Sequence, residues 1–389
     1  MKQSRQLHLD SLRGIAALIV IIVHYLAVFY PYTVFGNQGS YLQRADWENI
    51  FFYPPFGLIV AGHFAVCLFF ILSGYVLSYS HLGDLQRKQK ILVSIIKRPI
   101  RLGGLVWFTI ICGALLWHFG LFFNVAVSDL TSSKPWFSHF WGDSFNFKAF
   151  FIDLAFSSFS KGTIYNPPLW TIKKELYGSI MVYLFLLLLG SFKYRILVYT
   201  LLVILFRDSL YQGFWIGLLI ADIMKNYSSS IKFPKIYCYL LLILFVYLSS
   251  YPHYVNQDFL GSTIYKYLPD DKGFGGGYPM ISALSLFLLA ISSNQLKKLL
   301  NLPFLQFLGG ISYGLYVIHF LVIGSFSSWL FLSLNSYFSF NISFLLTLLS
   351  GLPFIIFTAY LATKYVDNPS IRLADYLGNK IILLLIYRP

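Results

Sequence analysis

The chain has 389 residues, of which 57% are apolar and 11% are Asp, Glu, Lys or Arg. Soluble domains carry roughly a quarter charged residues, so a soluble globular fold is excluded, and disordered, collagenous and coiled-coil classes with it. A mean hydropathy of +0.68, with 39 Phe, 29 Tyr and 8 Trp, fits an all-α polytopic membrane bundle.

A crossing helix needs about 20 apolar residues for roughly 30 Å of hydrocarbon. About ten segments are predicted to span: Leu12 to Tyr30, Ile59 to Tyr79, Leu102 to Phe123, Leu169 to Leu189, Ile196 to Phe206, Gly213 to Met224, Tyr237 to Ser250, Met280 to Ser293, Phe304 to Leu332 and Ile342 to Thr363. The first follows a short basic leader with no small-residue cleavage site and reads as a retained signal anchor. With both termini cytoplasmic, 20 of the 29 basic residues and 5 of the 15 acids fall inside, as the positive-inside rule demands. The pI of about 9.5 thus marks a basic face beside anionic lipid, and no aromatic-basic motif points to nucleic acid.

Three outer connections are long: Pro31 to Pro55, Asn124 to Phe159 and Tyr251 to Pro279. In the second, Phe147, Phe150, Phe151 and Leu154 recur at helical spacing beside Lys148 and Asp153, which fits an interfacial helix as well as a plain loop. In the third, Gly273, Gly275, Gly276 and Gly277 lack the context of a phosphate loop. Cys67, Cys112 and Cys238 have neither disulfide nor zinc spacing, and no metal site is expected.

Ionisable residues inside spans are costly and mark functional positions. Arg13 and His24 lie eleven residues apart, which returns them to one helical face about 16.5 Å apart along the axis. That geometry suits a long, thin ligand with its phosphates on Arg13 and its far end at His24, an imidazole able to act as general base near neutral pH. A snorkelling arginine and a structural histidine explain the spacing equally well. Counted from the span ends, His24, Glu175 and His319 reach a common depth on three helices. A polar shaft from Arg13 to His24 is therefore expected. At the inner side, Ser73, Gly74 and Tyr75 close the second span, and Arg98 and Arg101 share a face if the third helix begins there, forming a candidate phosphate grip.

These residues carry a family resemblance. LDSLRGIAALIVIIVH, with Arg13 and His24, GHFAVCLFFILSGYVLS, with Ser73 and Gly74, PLWTIKKELYG, with Trp170 and Glu175, and GGISYGLYVIH, with Tyr313, Tyr316 and His319, resemble the motifs of acyltransferase family 3, integral membrane O-acyltransferases of bacterial surface glycans. Arg98 and Arg101 occupy the place of the family's arginine pair, although Pro99 stands between them here. Asp367-Asn368-Pro369 approximates the acidic-x-Pro ending. The resemblance implies a transmembrane acyltransferase domain over residues 1–375 and a short cytoplasmic or interfacial tail over 376–389, in the bacterial inner membrane. It implies transfer of an acetyl group from cytoplasmic acetyl-CoA to a hydroxyl of a glycan or lipid-linked sugar such as O-antigen or exopolysaccharide. Arg13, Ser73, Gly74, Tyr75, Arg98 and Arg101 would hold the coenzyme, His24, Glu175 and His319 would perform the chemistry, and Trp170 and Tyr313 would contact the sugar. Some relatives add an SGNH hydrolase-like domain; without one, the membrane domain or a separate partner finishes the transfer. Trp136, Trp141 and Trp170 would anchor the interface or stack on sugar. A secondary transporter or a glycan flippase or polymerase would also place ionisable groups near the midplane, but the internal repeats of transporters are not visible.

Overall fold

The computed structural model describes residues 6–36, 40–82, 87–142, 145–160, 162–227, 233–271 and 275–386. Gly273 lies outside them, as do residues 1–5 and 387–389 at the termini. The described residues are helical with no β-strand. The principal helices are α1 (Leu7–Phe29), α2 (Gly62–Tyr79), α3 (Arg87–His118), α4 (Trp170–Leu189), α5 (Arg195–Leu205), α6 (Tyr211–Asp222), α7 (Lys235–Ser249), α8 (Gly277–Ser292), α9 (Pro303–Gly310), α10 (Ser312–Val322), α11 (Phe340–Ala362) and α12 (Asn368–Ile386).

Every predicted span has a helical counterpart, but length separates them. Among the described residues, five helical stretches are long and apolar enough to cross a bilayer: α1, α2, most of α3, the run Ser312–Asn335 and the run that starts at Phe340. A sixth is α8 joined to Asn294–Leu300 through a bend of 96°. The counterparts α5, with 11 residues, and α7, with 15, are shorter, and at about 1.5 Å per residue they reach only about 16 and 22 Å. These are apolar helices of a multi-pass membrane protein without the length of independent crossings.

The predicted span Phe304 to Leu332 is broken at Ile311, between α9 and α10, beside Gly309 and Gly310. The break coincides with a backbone-to-backbone crossing. A Cβ on Gly14 would stand 2.6 Å from the Gly309 nitrogen, and one on Gly309 would stand 2.4 Å from the Asp10 carbonyl oxygen. Only glycines let α1 and α9 approach this closely. The same device joins α2 to α6: a Cβ on Gly217 would meet the Ile71 carbonyl oxygen at 2.3 Å.

The third helix begins at Arg87 rather than near Leu102. With 32 residues it extends about 48 Å, more than the hydrocarbon thickness. Arg98 and Arg101 therefore lie mid-helix, with Pro99 inside it. Helix α12 runs through the predicted boundary at residue 375 and packs on α3, where Lys97 pairs with Asp375 at 3.0 Å. In the second outer connection, Phe147–Ile152 is a helix with Phe147, Phe151 and Ile152 exposed.

Candidate active site

One large cavity, about 590 Å³, opens among α1, α2, α3, α4, α9, α10 and the start of α12. Its charged lining comes from four directions. Asp10 and Arg13 project from α1, Arg98 and Arg101 from α3, Glu175 from α4, and Asp367 from the turn before α12. Ser73 and Tyr75 of α2 and Tyr313 of α10 complete the wall. Arg98 is buried; its Nε donates to Ser179 Oγ at 3.0 Å and its Nη2 to the Glu175 carboxylate. Arg13 pairs more loosely with Asp10, at 3.5 Å, and Arg101 is exposed into the cavity. Arg98 is thus committed to a carboxylate, whereas Arg13 and Arg101 retain donors for an anionic ligand.

Several expectations about placement are corrected here. Glu175 does not join the two histidines; it closes an ion pair with Arg98 at the cavity wall, because the same helical face of α4 that carries Glu175 also carries Ser179, and both meet the guanidinium. Gly74 does not line the cavity. Its face is covered by α6, with the Phe214 carbonyl oxygen 2.3 Å from where a Cβ would sit, so its smallness serves packing. Tyr313 lies on the cavity wall with the arginines, its hydroxyl donating to the Leu102 carbonyl at 2.8 Å. Trp170 faces a small gap with His63, Val66, Leu210 and Gly275.

The two remaining candidates do meet. His24 Nδ1 lies 3.2 Å from His319 Nε2, with the ring centroids 5.0 Å apart. Their hydrogen bonds define the tautomers. His319 Nδ1 lies 3.1 Å from the Leu315 carbonyl oxygen, which only accepts, so Nδ1 carries the hydrogen and Nε2 is left with its lone pair. The hydrogen between the two rings must then reside on His24 Nδ1, which also donates to the Val20 carbonyl at 2.7 Å. The neutral His24 ring consequently presents an unprotonated Nε2, and that atom has no hydrogen-bond partner among the described residues. His319 is fully buried, while His24 is partly exposed. Trp136 stacks on His24 at 5.9 Å and 23°, and Phe320 meets it edge-on at 5.2 Å.

The expected open shaft is interrupted. The cavity stops at Val66, Phe69, Thr171 and Tyr316, and neither histidine lines it. Tyr316 is held in place: its hydroxyl accepts from Thr171 Oγ1 at 2.8 Å and donates to the Pro168 carbonyl at 3.1 Å. His319 stands behind it, 6.0 Å between ring centroids, and Phe69 meets Tyr316 edge-on at 5.8 Å. One layer of side chains separates the arginine-lined chamber from the imidazole pair.

A family model described as an acyltransferase domain, that of acyltransferase family 3, matches residues 7–364. The chain belongs to this family. No characterised protein and no solved structure shows a significant match. The matched span includes every residue of the cavity lining except Gln6, Asp367, Asn368 and Ile371, together with both imidazoles of this membrane acyltransferase.

Sequence reasoning left several members of the site unassigned. Asp10 stands three residues before Arg13 on the same face and was legible by that spacing. Thr171 and Tyr316 meet across 145 residues, a pairing no local pattern announces. Trp136 reads in the sequence as an interfacial anchor or a sugar platform, and only the fold brings it against His24.

Proposed function

We propose that this protein transfers an acetyl group from cytoplasmic acetyl-CoA to a hydroxyl of a cell-surface glycan or its lipid-linked precursor, in the inner membrane of a bacterium. The observation that carries this reading is the pairing of an arginine-lined chamber with a tautomer-fixed imidazole one side-chain layer away. Arg13 and Arg101 supply donors for the coenzyme's phosphates, and Ser73 and Tyr75 add neutral hydroxyls to the same wall. A 590 Å³ chamber lies within the range that holds a drug-sized ligand.

Chemistry at His24 follows from its free Nε2. That atom removes the acceptor's hydroxyl proton as the oxygen attacks the thioester carbonyl; a C–O bond forms, the C–S bond breaks, and the departing thiolate takes the proton back from Nε2. During the step His24 becomes an imidazolium whose Nδ1–H already points at the Val20 carbonyl and the His319 lone pair. His319 acts on the reaction through His24 and is a positioning residue. For the thioester to reach Nε2, the Phe69–Tyr316 layer must part. Phe69 is the movable member, since Tyr316 is fastened by two hydrogen bonds and a phenylalanine ring makes none.

The test is coenzyme A release by the purified, detergent-solubilised protein given acetyl-CoA, with and without glycan from the producing cell. Acceptor-dependent release that disappears in His24→Ala supports the reading. Release that survives unchanged in His24→Ala removes His24 from the chemistry, and absence of both donor binding and donor consumption overturns the function.

A further inference from the structure

The outer side of His24 is walled by aromatic rings that three separate connections deliver to one place. Trp136, from the short helix Lys134–Phe137, stacks on His24 and lies 5.7 Å from Phe35, which belongs to the first connection. Phe35 stacks on Tyr41 at 4.8 Å and 20° and lies 5.6 Å from Tyr254 in the third connection. The Tyr254 hydroxyl is 3.2 Å from Nε2 of His63, in the first turn of α2. Four neighbouring rings of the outer connections, Phe52, Trp141, Tyr251 and Tyr265, are buried. Phe35, Tyr41, Trp136, Tyr254 and His63 each stay partly exposed, as does His24 at the end of the series.

We propose that this series of half-open rings is the sugar-binding subsite of the acceptor, with Trp136 and Phe35 as stacking platforms, Tyr254 and His63 as hydroxyl partners, and the reacting hydroxyl directed to His24 Nε2. The inference rests on the acyltransferase reading above and adds where, and by which side chains, the acceptor is held. Its chemistry selects a neutral sugar: flat apolar faces match the C–H faces of a pyranose, and a phenol and an imidazole at the edge match hydroxyl groups. These five side chains include no guanidinium or ammonium group, unlike the donor chamber. His253 closes the far end, its Nδ1 donating to the Asp271 carbonyl at 3.1 Å and its ring 5.9 Å from His63. Burial holds its imidazole below the usual range, against the opposing pull of Asp271 and Asp270. The gap between His63 and Trp170 has about 10 Å³, no more than one water, so the sugar lies on the Trp136 side and not against Trp170.

The experiment uses the full chain in lipid nanodiscs, with acetyl-CoA as donor and the methyl glycosides of glucose, galactose, N-acetylglucosamine and rhamnose as acceptors, and measures acetylated glycoside and coenzyme A affinity in parallel. Trp136→Ala and Phe35→Ala are expected to raise the acceptor KM about tenfold, the loss of one stacked ring, with coenzyme A affinity within about twofold of wild type. Trp136→Tyr should recover most of the loss, and Tyr254→Phe should raise KM by a smaller factor. Phe35→Ala decides the matter if Trp136→Ala does not yield folded protein. Unchanged acceptor KM in Phe35→Ala, or equal loss of donor and acceptor affinity, overturns the subsite. Wild-type protein that binds coenzyme A and hydrolyses acetyl-CoA yet acetylates no glycoside also overturns it and leaves the donor chamber standing. Failure to bind coenzyme A or consume acetyl-CoA overturns instead the acyltransferase reading beneath it.

Discussion

Replacing His319 tests the imidazole pair most directly. In the resting protein the His24 tautomer is held twice, by the Val20 carbonyl at 2.7 Å and by His319 Nε2 at 3.2 Å. His319→Ala removes the second acceptor and leaves the first, so the ground-state tautomer survives. The greater loss falls on the step in which His24 is charged. A hydrogen bond to an ionised group contributes about 1.5–3 kcal/mol, against about 1 kcal/mol for a neutral pair. The part felt only in the transition state, about 0.5–2 kcal/mol, lowers kcat by roughly 2- to 30-fold, since each 1.4 kcal/mol is a factor of ten. His319→Gln, whose side-chain oxygen can accept from Nδ1–H, should lose less than His319→Ala. Steady-state coenzyme A release at saturating acetyl-CoA gives kcat, and equilibrium binding of coenzyme A gives donor affinity, which should stay at the wild-type value because His319 does not line the donor cavity. A kcat for His319→Ala equal to that of wild type, with His24→Ala inactive, would show that His24 needs no partner ring and refute the argument.

Other perturbations follow from the cavity and its supports. Arg101→Ala, at a guanidinium exposed into the chamber, should weaken coenzyme A binding by about 1.5–3 kcal/mol and flatten its salt dependence, read by titration calorimetry at two ionic strengths. Glu175→Ala strands the buried Arg98 charge and should destabilise the protein by about 3–5 kcal/mol, seen as a lower melting temperature in detergent; Arg98→Met with Glu175→Leu should recover much of that loss, whereas additive losses would mean the pair is not coupled. Gly217→Val forces a side chain against the Ile71 carbonyl and should abolish accumulation of folded protein, measured by fluorescence-detected size exclusion. Phe69→Ala thins the layer beneath the imidazoles and should raise acetyl-CoA hydrolysis in the absence of acceptor; unchanged hydrolysis would show that Phe69 is not the barrier.

What the sequence disclosed and what it withheld divide along one physical line. Helical geometry operates within a segment, and there the reading held: all-helical membrane elements, and Arg98 and Arg101 of α3 together on one cavity wall. Depth along the membrane normal was a weaker guide, because it fixes height but not azimuth. It brought His24 and His319 to one level, where they touch, and brought Glu175 to the same level although that carboxylate turns to Arg98. Azimuth depends on how closely helices approach, and that is decided by glycines whose role is invisible until the partner is known. Gly74 read as part of a ligand turn is instead the contact with Phe214 that seats α2 on α6 and so aims Ser73 and Tyr75 into the chamber. The same logic explains why the interruption between chamber and imidazoles escaped notice. Tyr316 and Thr171 lie 145 residues apart, and their hydrogen bond converts an expected continuous shaft into two compartments. A partition suits the proposed chemistry: a thioester waiting in the inner chamber is kept from the partly exposed His24 until Phe69 moves, so the acyl group meets the imidazole only when a passage opens, which limits its loss to water.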